Sequence, residues 1–134
     1  MTWTVYAQLA DISPAINAKW LMEEVGRLFG PRPEFALKQT TMPFSQSPSV
    51  DLVSGSWLAR LTYEEGEAVV ADSREIQRLT QGELRGRNPS TRRIRAVFSN
   101  DETGEYTNHS IWVTDFLRSI PGAVLFDANR KEYF

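Results

Sequence analysis

Residues 2–9, TWTVYAQL, alternate in type, with Trp3, Val5, Ala7 and Leu9 on one side and Thr4, Tyr6 and Gln8 on the other. A period of two predicts a strand with one buried face. Asp11-Ile12-Ser13-Pro14 then reads as a helix start, with Ser13 as the N-cap and Pro14 at the first helical position. The helix is expected over 14–29 and is stopped by Gly30-Pro31-Arg32-Pro33. Its apolar stripe is Ala18, Leu21, Met22, Val25, Leu28 and Phe29. Ile16 and Trp20, four residues apart, fall on roughly the opposite side of such a helix, beside Glu23, Glu24 and Arg27. A sheet-covering helix has no use for a Trp there, so the pair is a candidate contact for a partner or for a second copy of the chain.

The pattern next predicts a strand in EFALKQT and a Pro/Ser-rich loop over MPFSQSPSVD. SWLARLTY alternates again, Glu64-Glu65-Gly66-Glu67 looks like a turn, and AVVA at 68–71 suggests a short returning strand. DSREIQRLTQGEL opens with an Asp72 to Glu75 capping box but offers only Ile76, Leu79 and Leu84 as an apolar face, which implies a short helix. RIRAVF is expected as a strand with Ile94, Ala96 and Phe98 inward and Arg93 and Arg95 outward. Trp112, Val113, Phe116, Leu117 and Ile120 share one stripe at about 100° per residue, which predicts a helix over 109–120 ended by Pro121-Gly122. AVLFDANRKEYF reads as a closing hairpin.

These elements predict a single α+β domain over 1–134. Its sheet is mainly antiparallel, with two longer helices packed on it. The order follows the ferredoxin-like βαββαβ pattern, with a helix and hairpin added at the C-terminus. No internal repeat or linker divides the chain.

Composition changes this picture in one respect. The chain of 134 residues carries a formal net charge of −2 and no cysteine. Disulfides, thiolate metal sites and cysteine nucleophiles are thereby excluded. No apolar run approaches the roughly 20 residues of a membrane span, and no signal-like leader opens the chain, so the expected location is the cytoplasm. Charge, however, is unevenly spread. From Asp72 to Arg95, seven arginines face only Asp72, Glu75 and Glu83, so this segment is +4 and the remainder −6. Only three lysines occur in the whole chain, and the planar arginine fork suits carboxylates and phosphates in a way that lysine does not.

Arg85, Arg87, Arg92 and Arg93 are accordingly expected to form an exposed basic patch for an acidic protein surface. The competing expectation is that they pair with the chain's own acidic turns. Nucleic acid fits less well, because the sequence pI is about 5.4 and no exposed aromatic residues interleave the arginines.

Candidate chemistry is sparse. The lone histidine, His109, falls on the side of its helix that also carries Val113 and Phe116, at the edge of the expected core. A histidine metal site needs companions, no phosphate-cradling glycine loop is present, and no G-x-S-x-G elbow accompanies a Ser/His/Asp set. No catalytic residue, metal ligand or cofactor is assigned. The expectation is a small non-enzymatic binding protein, of the adaptor, inhibitor or immunity type. The alternative is a small enzyme or ligand-binding domain with a pocket of scattered residues such as Tyr106, His109 and Asp115. A nucleic-acid-binding accessory protein is third.

Overall fold

The computed structural model describes residues 2–41, 48–80 and 88–134. Ten elements follow one another: β1 (Trp3–Gln8), α1 (Ala18–Phe29), β2 (Ala36–Thr41), β3 (Pro48–Ser54), β4 (Trp57–Glu65), α2 (Glu67–Leu79), β5 (Arg92–Phe98), α3 (Thr107–Ser119), β6 (Val124–Asp127) and β7 (Glu132–Tyr133). The strands form one antiparallel sheet of seven in the order β2-β3-β4-β5-β1-β6-β7.

Register makes the core. Val5 and Ala7 of β1 stand opposite Ala96 and Ile94 of β5, which in turn face Leu61 and Tyr63 of β4. Successive side chains alternate between faces, so these residues line one face of the sheet. There they join Leu21, Val25 and Phe29 of α1 and Val113, Phe116 and Leu117 of α3 in a single buried cluster. The odd-even partners point the other way: Gln8 opposite Arg93, Thr62 opposite Arg95. Helix α2 packs on that second face, burying Val69, Ser73 and Ile76. Ser73 is small enough for close approach, and its Oγ accepts from the backbone N of Ser90 at 2.8 Å and from Gln8 Nε2 at 3.4 Å.

The α+β class and the antiparallel sheet agree with the sequence pattern; three details differ. The expected ferredoxin-like order has two strands between its helices, whereas β2, β3 and β4 run consecutively between α1 and α2. The additional strand is β3, whose first residues fall in the stretch whose prolines and serines predict a loop. Pro48 sits at its first position, where a strand tolerates proline. Gly55, with φ +57, and Ser56 then link Ser54 to its register partner Trp57. A glycine with positive φ at the first of two loop residues is the signature of a tight hairpin turn.

The second difference is α2. AVVA is the first turn and a half of this helix and not a strand, because Gly66, at φ +111, breaks the chain out of β4 immediately before it. The described helices are therefore three of similar length, with 12, 13 and 13 residues, where two longer ones were expected.

The third is the start of α1. Ser13 is not its N-cap and Pro14 is not helical. Asn17 caps the helix, its Oδ1 accepting from the Trp20 backbone N at 2.8 Å. Ser13 instead ties the preceding loop to the far end of the chain: its Oγ accepts from Ala10 N at 3.0 Å and donates to the Pro121 carbonyl at 2.6 Å.

Candidate functional site

The arginine segment was the strongest sequence signal, and the structure puts much of it to internal use. Arg92 reaches from β5 to the loop before α1. Its Nη1 donates to the Pro14 carbonyl at 2.9 Å, and its Nη2 donates to those of Ala10 at 2.8 Å and Ser13 at 3.4 Å. A guanidinium, with five N–H donors in a fixed fork, can satisfy several carbonyls of an irregular loop at once. Arg93 is 7% exposed. Its Nε donates to Glu64 Oε1 at 2.9 Å, its Nη1 to Asp72 Oδ2 at 2.8 Å, and its guanidinium lies 4.2 Å from the Tyr6 ring centroid. Burial alone would lower the Arg93 pKa; the hydrogen bonds to Glu64 and Asp72 outweigh it, and the value is raised. Arg93, buried and paired with two carboxylates, is not part of an open basic patch, which corrects that expectation for this residue; Arg92 is half-buried, with its donors on loop carbonyls. Arg85 and Arg87 lie outside the described residues.

The Ile16–Trp20 patch is also redrawn. With α1 starting at Ala18, Ile16 belongs to an extended loop and no longer sits one helical turn from Trp20. It is 5% exposed and part of the core cluster. Trp20 is half-buried, packed against that cluster, and its ring stacks on Phe116 with centroids 6.4 Å apart.

His109 occupies the edge of the core among four rings. Its centroid lies 5.0 Å from Phe35, 5.3 Å from Trp57, 5.3 Å from Tyr106 and 5.2 Å from Trp112. Nε2 is hydrogen-bonded to Ser54 Oγ at 3.1 Å, while the buried Nδ1 and the neighbouring Trp57 Nε1 have no hydrogen-bond partner. Tyr106 thus does stand beside His109. Asp115 does not join the His109 ring cluster: its carboxylate is exposed and pairs with Arg118 at 3.5 Å. Among the described residues, no group of three or more His, Asp or Glu side chains is placed to hold a metal ion. None of the described helices is long and apolar enough to cross a membrane.

Beside this aromatic cluster, α1 and α3 part to leave a groove of about 410 Å³. Phe29 and Phe116 line it from the core side, and Leu28, Arg32, Trp112 and Asp115 stand around them. Phe29 and Phe116 meet edge to face at 6.2 Å. Arg32 holds its guanidinium 4.0 Å from the Trp112 ring centroid, and its Nε lies 3.7 Å from Glu34. Leu28, 38% exposed, and Ile111, 47% exposed, extend the apolar surface on either helix. No family model matches the chain, and neither the curated proteins nor the solved structures yielded a match.

Sequence reasoning missed Arg32 and Trp112 as a pair. Arg32 was legible only as part of a helix stop, and Trp112 as one member of a core stripe. Eighty residues separate them, and no local pattern couples such positions.

Proposed function

We propose that this is a small non-enzymatic binding protein, of the adaptor, inhibitor or immunity type, which docks a protein partner in the groove between α1 and α3. The observation that carries the proposal is the Arg32–Trp112 pair at the mouth of an apolar groove. Trp and Arg are the side chains in which interface binding energy concentrates, particularly where they border a pocket that an apolar anchor can fill and desolvate. Phe29 and Phe116 supply the seat for such an anchor. Arg32 offers a guanidinium to an acidic residue beside it on the partner, in keeping with the expected acidic surface.

The Ser54–His109 hydrogen bond favours a second reading, a small enzyme using histidine as a base. Such a base needs a group on the far imidazole nitrogen to hold its orientation. His109 Nδ1 has none, so binding is preferred.

The test is site-directed photocrosslinking in extracts of the source cells. A benzophenone amino acid at Ile111 should give one defined protein adduct, whereas the same probe at Lys38, on β2, should give none. Trp112→Ala should abolish the adduct and weaken the purified complex by about 2–4 kcal/mol, roughly 30- to 1,000-fold. Equal capture from both positions would defeat the proposal. An adduct of twice the chain mass would make the occupant a second copy.

A further inference from the structure

The face of the sheet that carries α2 holds another cavity, of about 310 Å³, with no α2 residue in its lining. Arg60, Thr62 and Leu58 of β4 border it, as do Arg95 and Val97 of β5. Register sets their arrangement: Arg60 stands opposite Val97, and Thr62 opposite Arg95. The two arginines are therefore diagonal neighbours, with the apolar Val97 beside Arg60. Diagonal cross-strand positions lie about 7–8 Å apart, within reach of long side chains. No carboxylate occurs among the described lining residues.

The two guanidinium groups are differently engaged. Arg60 is clamped by Asp51, with Nε to Oδ1 and Nη2 to Oδ2 both at 2.8 Å. Arg95 has one long contact, Nη2 to Glu64 Oε2 at 3.4 Å, and its Nε, buried where it now lies, has no hydrogen-bond partner. The Arg95 side chain is 39% exposed. Arg93 meanwhile holds the other Glu64 oxygen at 2.9 Å, so Arg95 can turn toward a ligand without leaving Glu64 unpaired.

We propose that this cavity is a binding site for a small organic carboxylate on an apolar body. The Arg95 fork takes the carboxylate, and Leu58 and Val97 contact the apolar part. A planar guanidinium with unused donors matches the two oxygens of a carboxylate. A cavity of this volume is at the lower end of the range for small-molecule sites. The site is on the opposite face of the sheet from the α1–α3 groove, and the inference does not rest on docking there.

The test is a titration of the ¹⁵N-labelled full chain with 4-methylpentanoate, its primary amide and inorganic phosphate, read by NMR. The carboxylate should produce saturable shifts at the Arg95 Nε–H and the Leu58, Thr62 and Val97 amides, with Kd of about 1–10 mM, as befits one half-exposed charged contact. The amide should bind at least about tenfold more weakly, and Arg95→Gln should lose about tenfold in carboxylate affinity, each corresponding to one lost charged hydrogen-bonding pair. Arg95→Lys, which keeps the charge and loses the fork, should be intermediate. Equal affinity for the amide, tighter binding of phosphate, unchanged binding in Arg95→Gln, or no saturable shift with the carboxylate would each overturn the proposal. The comparison of acid with amide uses the wild-type chain, so it holds whether or not the variants fold.

Discussion

Arg93 Nη1 on β5 lies 2.8 Å from Asp72 Oδ2 on α2, which fastens that helix, on the second face, to the centre of the sheet. Arg93→Met should lower stability by about 1–3 kcal/mol in urea denaturation. That is less than the roughly 3–5 kcal/mol for breaking a fully buried pair, because the Asp72 side chain is half exposed and can be rehydrated. A loss below about 0.5 kcal/mol would place Arg93 with ordinary surface residues and contradict its assignment as an internal tie.

Tyr63 should report on the alkaline limit of the fold. Burial, with the hydrogen bond that its Oη donates to Glu65 Oε2 at 2.8 Å, raises its pKa from 10.0 to about 12. The folded state thus holds the phenol proton more tightly than the unfolded state. Its stabilisation is complete below the unfolded value of 10.0 and is lost as pH rises through about 12. Urea midpoints of the wild type should fall relative to Tyr63→Phe across that window. Parallel curves for the two proteins would refute the assignment.

The start of α1 can be tested by two substitutions with different signatures. Asn17→Ala removes the N-cap and should cost about 1 kcal/mol, with faster amide exchange confined to the first turn. Ser13→Ala should leave that turn intact. It should instead speed exchange at Ala10, whose N–H the Ser13 Oγ accepts. A helix start at Pro14 would reverse the two patterns.

Gly55→Ala should destabilise the β3–β4 hairpin by about 1–3 kcal/mol, because a Cβ is poorly tolerated at positive φ. The added carbon would also come within 2.5 Å of Tyr106 Oη, pushing the phenol that packs on Trp57 and His109. Thermal denaturation gives the first effect, and near-ultraviolet circular dichroism the second. An unchanged melting temperature would show that the turn relaxes freely.

The sequence by itself determined the class of the fold, most of its strands and the inward set of side chains. Trp3, Val5 and Ala7, then Ile94, Ala96 and Phe98, alternate with residues that are polar except for Val97, and a buried sheet face leaves such strands no other register. Helix α3 was legible for the same reason, since a stripe of Val113, Phe116 and Leu117 is self-evident at helical spacing. Local signals that compete were misjudged. Ser13-Pro14 has the chemistry of a helix start, but Arg92, 79 and 78 residues away, holds the carbonyls of both in a loop. Only tertiary structure could decide the fate of the arginines. Whether a guanidinium is spent internally or left for a ligand depends on which carboxylates the folded chain brings within about 3 Å of it. Arg93 meets Glu64 and Asp72, while Arg95, two residues on and facing the same way, has only the outer reach of Glu64. The Arg32–Trp112 pair is the same case at greater distance: Arg32 lies in the loop just after α1 and Trp112 near the middle of α3, and packing alone sets the one side chain over the other.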